Sequence, residues 1–234
     1  MTLPAHLDIP DFDEWGMRAF TTTRAAGTYG TQGVEPAVEV FARWNTLVAG
    51  VTALGCDRFA SASQVHGQEF TVHARGWSGW LRTNAVDGHA WARRGIAAAV
   101  TIADCVPVFI GHPSGAGAIL HSGWRGTAAG ITEQAIRWFV GAGFAPPSLR
   151  IHLGPAICGS CYEVSPDVFA QLTSEAVAGP RTLDLRAAIA DRARGAGVRD
   201  IAISEWCTRC SNDRLFSHRA GDAGRQLGVF ISIA

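Results

Sequence analysis

The sequence predicts a single mixed α/β domain, and three observations support this fold class. Segments with strand and helix patterns alternate loosely along the chain and do not form regular β-α-β units. The 234 residues are enough to bury one large hydrophobic core. The sequence contains no internal repeat, low-complexity stretch or long linker that would divide it. We therefore expect residues 1–234 to form one domain, in which residues 1–16 are an N-terminal extension.

The N-terminal third of the chain begins with a predicted strand and a long helix. Alternating apolar residues over 17–23 predict the strand, and Arg24 follows at its end. Pro36 opens a helix whose apolar residues recur at helical spacing as far as Val51. The next segments are two predicted strands and a predicted loop rich in Gly, Trp and Asn, at residues 59–65, 70–73 and 76–88.

The following stretch places a carboxylate and a thiol at the end of a strand. A continuous apolar run over residues 96–102 predicts a buried strand, which Asp104 and Cys105 follow. Pro107 has no backbone N–H to donate to a sheet, so the strand should end or bend beside Cys105.

An imidazole and a guanidinium follow at a second strand end. A short strand over residues 117–120 leads to His121, and residues 122–126 turn the chain into a helix that Gly141 can close. Open α/β sheets bind their ligands where strands stop and helices start. We therefore predict that the active site lies in residues 101–130.

The C-terminal part alternates strands with two helices. Ser165 and Pro166 form a favourable helix start, and Gly195 can stop the second helix. The predicted elements are a strand at residues 149–153, a helix from 165 to about 172, a helix at 184–194 and strands at 201–204 and 228–233.

Composition and charge exclude several classes of function. A formal net charge of zero and a pI near 7.1 argue against nucleic acid or an anionic membrane as the main partner. All 20 basic residues are Arg, which excludes a lysine Schiff base or a P-loop lysine. Neither a secretory signal pattern nor an apolar run of roughly 20 residues is present. We expect a cytoplasmic protein whose six cysteines are thiols, metal ligands or catalytic groups.

His66, Cys105 and His121 form a candidate metal site. Each histidine ends a predicted strand, and two imidazoles with one thiolate are a normal zinc set that leaves a fourth position free. The three residues are dispersed in sequence, so a buried free thiol beside two ordinary histidines is an alternative. A catalytic Cys–His pair is another, with Cys105 as nucleophile and His121 as base. The same sulfur cannot serve as metal ligand and as free nucleophile.

Arg125 is a candidate anion-binding residue. It lies in Ser-Gly-Trp-Arg-Gly-Thr at an expected helix start, where free N–H groups and a guanidinium suit phosphate. The alternative is an exposed arginine in a helix turn. The motif is not a Walker A sequence, so a nucleoside triphosphate is not implied.

Four further cysteines form two C-x-x-C pairs, Cys158 with Cys161 and Cys207 with Cys210. Such pairs provide the ligands of Cys₄ zinc sites, although the gap between them is longer than in a usual zinc ribbon. A structural metal site, a disulfide and ordinary thiols are all open from the sequence.

Six motifs occur in a fixed order along the chain: Gln64-Val65-His66-Gly67, Ala103-Asp104-Cys105-Val106-Pro107, His121-Ser122-Gly123-Trp124-Arg125-Gly126-Thr127, Gly154-Pro155-Ala156-Ile157, Cys161-Tyr162-Glu163-Val164 and Cys207-Thr208. With these motifs the chain resembles the YfiH-like family, whose members are called laccase-domain proteins, polyphenol oxidases or zinc-dependent purine nucleoside phosphorylases. The resemblance extends from about residue 17 to the C-terminus.

The resemblance implies an α/β sandwich related to the cytotoxic necrotizing factor toxins and a zinc ion held by His66, Cys105 and His121. It implies phosphorolysis of adenosine, inosine, guanosine and methylthioadenosine, together with adenosine deamination. The stretch that precedes the first helix is shortened here to residues 30–35, so substrate preference stays open. The expected partners are purine nucleosides and phosphate, bound by a monomer.

The two reactions need an anion site and a proton carrier. Arg24 and Arg125 are the predicted phosphate contacts, and Arg125 is counted among the catalytic residues. Asp104 or Glu163 would carry the proton in deamination, in which zinc lowers the pKa of water to about 7. Asp104 is ambiguous, because neighbouring residues of a strand point to opposite faces and Cys105 would take the inward one.

Two other activities are weighed against purine chemistry. Copper-dependent phenol oxidation would use the same His₂Cys set. The chain has no His-x-His pair of the kind that a multicopper cluster requires, and Met1 and Met17 are poorly placed as axial ligands. A Cys–His hydrolase or deamidase, with a role in editing cell-wall precursors, is the second alternative.

Overall fold

The chain has a mixed α/β fold, described for residues 3–33 and 35–234 in a computed structural model. Its strands are β1 (His6–Ile9), β2 (Met17–Thr22), β3 (Arg58–Ser63), β4 (Thr71–Val72), β5 (Gly79–Asn84), β6 (Gly88–Trp91), β7 (Ile96–Ile102), β8 (Val106–Gly111), β9 (Gly117–Ser122), β10 (Arg150–Leu153), β11 (Glu163–Val164), β12 (Arg181–Thr182), β13 (Asp200–Ile203) and β14 (Gln226–Ser232). Its α-helices are α1 (Ala37–Ala53), α2 (Trp124–Ala129), α3 (Ile131–Gly141), α4 (Pro166–Thr173) and α5 (Leu185–Gly195). Short 3₁₀ helices cover Pro10–Trp15, Arg24–Ala26 and Pro146–Ser148.

The described strands form two six-stranded mixed sheets and one small hairpin-like pair. The first sheet has the order β1-β2-β14-β7-β3-β5, and the second has the order β13-β10-β8-β9-β6-β4. Strands β11 and β12 pair separately. Strands β8 and β9 are antiparallel with Pro107 opposite His121, so the two sequence motifs that contain these residues lie side by side.

The two large sheets pack face to face, as the alternation of side chains between the two faces of each strand shows. In β7, Ala98 and Val100 belong to the cluster between the sheets, whereas Ala97 and Ala99 face the other side. In β8, Phe109 points into the same inter-sheet layer. The molecule is therefore a β-sandwich with its central core between the sheets.

Helices cover the outer faces of the sandwich. Helix α1 buries Val40, Trp44 and Leu47 against the outer residues of the first sheet. Helices α3 and α5 bury apolar side chains, including Phe139 and Ile189, against the outer face of the second sheet. The resulting layers are helix, sheet, sheet and helices.

No α-helix formed by residues 3–33 and 35–234 has both the length and the apolar character needed to cross a lipid bilayer.

The predicted α/β class is confirmed, and so is the strand at residues 96–102. The loop predicted for residues 76–88 is wrong, because this segment forms β5 and the start of β6. The helix predicted to continue to Gly141 is interrupted at Gly130, whose φ of 83° breaks it into α2 and α3. Pro107 lies inside β8 and pairs with β9, but the pairing of β8 with β10 ends at the next residue, Val108.

Within the predicted N-terminal extension, His6–Ile9 pairs with β2 as an edge strand of the first sheet. Residues 1 and 2 of that extension lie outside the described residues, and so does Val34 in the shortened segment at 30–35.

Candidate metal centre

His66, Cys105 and His121 come together beside the ends of the central strands β8 and β9 of the second sheet. Their ligand atoms all lie within 4.8 Å of one another, and the two imidazole rings meet edge to face with centroids 4.8 Å apart. His66 lies in the loop after β3, Cys105 in the turn before β8 and His121 in β9. His121 is buried, Cys105 is half-buried and His66 is exposed, so the set extends from the interior to the surface.

The loop that carries His66 is tied to the first sheet by Gln64. The Gln64 Oε1 atom accepts hydrogen bonds from the backbone N–H and the hydroxyl of Thr101 in β7, and its Nε2 atom donates to the Thr101 carbonyl. His66 itself has a φ of 60°, a left-handed conformation that is uncommon outside glycine. The backbone is therefore bent sharply at the residue that presents the imidazole.

Asp87 orients both histidines, and the sequence analysis missed it. Its carboxylate is fully buried and accepts backbone N–H groups from Val65 (3.1 Å), His66 (2.9 Å) and Gly67 (2.7 Å). It also accepts from His121 Nδ1 at 2.8 Å. Burial raises the pKa of this carboxyl, but the hydrogen bonds from His121 and from backbone N–H groups hold the pKa below its usual range.

The Cys105 thiol lies in an environment that favours the thiolate. Burial alone raises its pKa, but the charge and the hydrogen bonds of His121 and His66 outweigh burial and lower the pKa to about 6. Burial also lowers the pKa of His121, whereas Cys105 and Asp87 together raise it to about 9. The side chains thus form a negative sulfur beside a positive imidazole, held by a negative carboxylate.

This donor set fits a zinc ion. Because Nδ1 of His121 is bonded to Asp87, Nε2 is the ring nitrogen left for a metal, and a carboxylate behind a ligating histidine is the usual support. At Gly123 a Cβ atom would come within 2.9 Å of Cys105 Sγ and 3.5 Å of His66 Cδ2. A glycine at this position keeps the space beside the ligands open.

A largely apolar pocket adjoins the three ligands. Its walls are His66, Asp104, Cys105, Gly123, Trp124, Arg125, Ile157, Tyr162 and Leu185. Arg125, in the first turn of α2, is exposed and its guanidinium lies 4.4 Å from the Trp124 ring centroid. The pocket therefore combines a positive charge, aromatic surface and the metal-type donors.

Asp104 lines this pocket beside Cys105, which removes the ambiguity in the sequence prediction. Residues 103–105 form a turn and not a strand, and Asp104 has a φ of 84°, so the alternation rule does not apply. Its carboxylate accepts from the Thr208 hydroxyl at 2.5 Å and from the Arg219 backbone N–H at 2.6 Å. The segment between β13 and β14, which is distant from Asp104 in sequence, thus holds this carboxylate at the pocket wall.

Tyr162 is a pocket residue to which the sequence analysis gave no role. Burial raises the pKa of its phenol to about 12, and the negative charges of Cys105 and Asp104 act in the same direction. The Arg219 guanidinium lies 5.1 Å from its ring centroid. At neutral pH this hydroxyl is therefore protonated and able to donate a hydrogen bond.

Two of the predicted site residues do not line this pocket. Arg24 is committed to Asp222 at 2.7 Å and to the carbonyls of Asn212 and Leu215. Glu163 lies exposed in β11, and its carbonyl accepts from Arg219. Their predicted roles as phosphate contact and proton carrier stay predictions, and of the predicted site residues Arg125 and Asp104 do line the pocket.

The comparisons with known proteins agree with the architecture. A family model described as multi-copper polyphenol oxidoreductase laccase matches residues 31–233. A protein of Streptomyces coelicolor called a purine nucleoside phosphorylase is 33% identical over 224 residues, which are 92% of this chain and 91% of that protein. A second protein with that name, from Deinococcus radiodurans, is 32% identical over 78% of this chain and 73% of its own length.

Solved structures show the same fold. YlmD of Geobacillus stearothermophilus superposes with a TM-score of 0.89 at 27% identity, covering 100% of this chain and 98% of that one. The YfiH protein of Bacillus licheniformis superposes with a TM-score of 0.87 at 23% identity, covering 99% and 97%.

Proposed function

The chain belongs to the family described as multi-copper polyphenol oxidoreductase laccase, and from its pocket and the names of its relatives we propose that it is a zinc-dependent purine nucleoside phosphorylase with adenosine deaminase activity. The substrates are adenosine, inosine, guanosine or methylthioadenosine, with phosphate. Relatives named purine nucleoside phosphorylase that share about a third of their residues support the first activity.

One observation carries the proposal: Arg125 and Tyr162 line the same pocket as His66 and Cys105, and the ligand atom of His121 lies within 4.8 Å of theirs. A nucleoside phosphorylase must hold an anion and a purine together, and a deaminase needs a metal-type site beside the base. Guanidinium, aromatic surface and metal donors meet these needs at one place.

In phosphorolysis an oxygen of phosphate forms a bond to ribose C1′ while the bond from C1′ to the purine N9 breaks. We assign Arg125 to the phosphate, because its guanidinium can make paired hydrogen bonds to phosphate oxygens. The aromatic rings of Trp124 and Tyr162 provide surface for the purine. The protonated Tyr162 hydroxyl is available to donate to the departing base, which takes up negative charge as the bond breaks.

In deamination water adds at purine C6, the amino group leaves as ammonia and a proton moves between them. Bound zinc supplies a Lewis acid that makes water a stronger nucleophile near neutral pH. Asp104 is assigned as the proton carrier because its carboxylate lines the pocket and Thr208 and Arg219 hold it in place. Asp87 orients His121 and does not contact substrate.

Purified protein of measured metal content tests the proposal directly. Incubation with adenosine and phosphate is expected to yield ribose 1-phosphate and adenine, and incubation without phosphate is expected to yield inosine alone. Cys105→Ser should abolish both activities, whereas Cys56→Ser, which changes a buried thiol of the α1 region outside the pocket, should keep them. Absence of ribose 1-phosphate, adenine and inosine with the zinc-loaded protein would contradict the proposal.

A Cys–His hydrolase is the second candidate, because Cys105, His121 and Asp87 also have the order of a nucleophile, a base and an orienting carboxylate. The position of His66 favours zinc, since a third donor within 4.8 Å of the thiol has no task in such a triad. Metal-free protein whose Cys105 is rapidly alkylated at neutral pH and which lacks purine activity would favour the hydrolase.

Copper-dependent phenol oxidation is less favoured. In the part of the chain that the structure describes, the clusters of metal-type donors are the His66-Cys105-His121 set and a group of four cysteines. A multicopper oxidase needs a histidine-rich cluster beside its His₂Cys copper, and neither group provides it. Copper-loaded protein that oxidises phenols as fast as zinc-loaded protein turns over purines would overturn this preference.

A further inference from the structure

The proposed purine site contains Cys105 but none of the four cysteines of the two C-x-x-C motifs. The structure brings Cys158, Cys161, Cys207 and Cys210 together, with their four Sγ atoms all within 4.8 Å of one another. All four are free thiols. One pair follows β10 and the other follows β13, and because these strands are parallel neighbours in the second sheet, the two loops lie at the same end of it.

We propose that these four cysteines bind a structural zinc ion that shares no ligand with the His66-Cys105-His121 set. Four thiolates in a tetrahedron are the standard structural zinc site. With Zn–S distances of about 2.3 Å, the sulfurs of such a tetrahedron lie about 3.8 Å apart. The Sγ atoms of Cys161 and Cys210 are 3.5 Å apart, close to that edge and well outside disulfide bonding distance.

The backbone hydrogen bonds of the two cysteine loops support metal binding. The N–H groups of Cys158 and Cys210 point at Cys207 Sγ, at 3.3 and 3.4 Å. Backbone N–H groups aimed at a sulfur stabilise its thiolate and fix its direction, as the partners behind metal ligands do. Cys207 is buried at the centre of this arrangement, while Cys210 is exposed. The site is therefore reached from solvent at one corner.

One positive side chain offsets part of the charge that the proposed site would carry. Binding replaces the protons of the thiols, which pass to solvent, and four thiolates with Zn²⁺ leave a net charge of −2. The Arg209 guanidinium lies across the two loops and donates to the Cys161 carbonyl at 3.3 Å. A positive side chain thus lies beside the proposed anionic cluster and joins both of its loops.

The proposed zinc site lies beside the purine pocket and could stabilise its wall. Ile157 and Tyr162, the neighbours of Cys158 and Cys161, line the purine pocket. Thr208, the neighbour of Cys207, donates to Asp104. A metal that clamps the two loops together would therefore fix one wall of the pocket and the residue that holds its carboxylate, without contacting substrate.

Elemental analysis of the purified protein tests the site. We expect about two zinc ions per wild-type chain and about one in Cys210→Ser, in Cys161→Ser and in His66→Ala. Cys56→Ser, a free cysteine elsewhere in the molecule, is the matched control and should keep about two. Because His66→Ala is expected to retain the second ion, the result does not depend on whether the purine activity is found.

Cobalt substitution of His66→Ala tests for thiolate ligation of the second ion without requiring the cysteine variants to fold. Intense thiolate-to-cobalt charge-transfer bands are expected, together with the absorption of tetrahedral cobalt. A wild-type protein with one zinc that His66→Ala loses completely would overturn the proposal. So would iron in place of zinc, or a Cys161–Cys210 disulfide, visible by mass, in protein purified under reducing conditions.

Discussion

A single buried carboxylate organises the proposed metal centre. Asp87 takes three backbone N–H groups and one imidazole N–H, so it shapes the His66 loop and sets the tautomer of His121 at once. A neutral amide at this position would retain one acceptor oxygen and place an NH₂ group against N–H donors.

We therefore expect Asp87→Asn to weaken zinc binding by about 10–100-fold, the range seen when partners behind metal ligands are removed. Zinc affinity is measured by competition with a chelator of known affinity. Asp191→Asn, at an exposed position where the carboxylate contacts Arg194, is the control and should bind zinc like the wild type. Equal affinities in both variants would show that Asp87 does not support the site.

The two carboxylates proposed as proton carriers can be separated by matched amide substitutions. Asp104→Asn is expected to lower kcat for deamination by about 10²–10⁴-fold, the usual contribution of a general acid–base group. Asparagine tolerates the positive φ of this position, so the backbone should persist. Glu163→Gln should leave kcat near the wild-type value, because Glu163 lies outside the pocket walls. The reverse order would reassign the proton carrier.

The position of a residue at a strand end predicts part of the site. Cys105 directly precedes β8 and His121 lies near the end of β9, and both strands have clear apolar patterns, so the sequence could place these residues near strand ends. The role of Asp87 was not predictable, because this residue follows a segment without a strand pattern and its partners are distant in sequence. Thr208 escapes prediction for the same reason, since its partner Asp104 is about a hundred residues away in the chain.

At the scale of elements, the fold was predictable where the local pattern agrees with the final structure. The apolar run of β7 and the cap residue Asp184, whose carboxylate accepts from two N–H groups of α5, are such cases. Strand β5 was not predictable, because its exposed residues do not alternate with buried ones and it forms through parallel pairing with β3. Non-local pairing, and not intrinsic propensity, makes it a strand.

Helix α2 packs closely enough on the His66 loop to be tested by one methyl group. A Cβ at Gly126 would lie 2.8 Å from the carbonyl oxygen of Gly67, next to His66. We expect Gly126→Ala to lower the free energy of unfolding by about 1–3 kcal/mol through overpacking, and to weaken zinc binding although no ligand is changed.

Gly141→Ala is the matched helical control, because nothing lies within 4 Å of its Cβ position. Its free energy of unfolding should stay near the wild-type value or rise by about 0.5–1 kcal/mol. Urea denaturation measures both variants. If Gly126→Ala were as stable as Gly141→Ala and bound zinc normally, the close approach of Gly126 to the Gly67 carbonyl would affect neither stability nor zinc binding.

At the scale of the molecule, the site lies where the layers of the sandwich meet. The His66 loop leaves the first sheet, Cys105 joins β7 of the first sheet to β8 of the second, and His121 belongs to the second sheet. The geometry of the metal set consequently depends on how the two sheets pack. The predicted cytoplasmic location, single-domain organisation and monomeric state stay predictions.

The stability of the whole molecule should depend on pH through a second histidine pair. His73 and His89 are buried side by side, with His73 Nε2 3.0 Å from His89 Nδ1. Burial, together with the positive charge of Arg58, lowers the pKa of His73 to about 4. Burial and the proximity of His73 lower the pKa of His89 to about 3. Both rings are therefore neutral in the folded protein at pH values where an unfolded chain would protonate them.

The direction of the effect follows from proton binding. The unfolded histidines have pKa values of about 6.5, so below that pH the unfolded state binds protons that the folded state does not. The stabilisation is complete above pH 6.5 and is lost as the pH falls towards 4, by roughly 2 kcal/mol per histidine at pH 5. His73→Gln removes one of the two groups, so its free energy of unfolding should fall less than that of the wild type between pH 7.5 and pH 5. Urea denaturation at both pH values measures this, each protein serving as its own reference at pH 7.5. Identical losses in the two proteins would mean that His73 takes up its proton as readily in the folded state as in the unfolded chain.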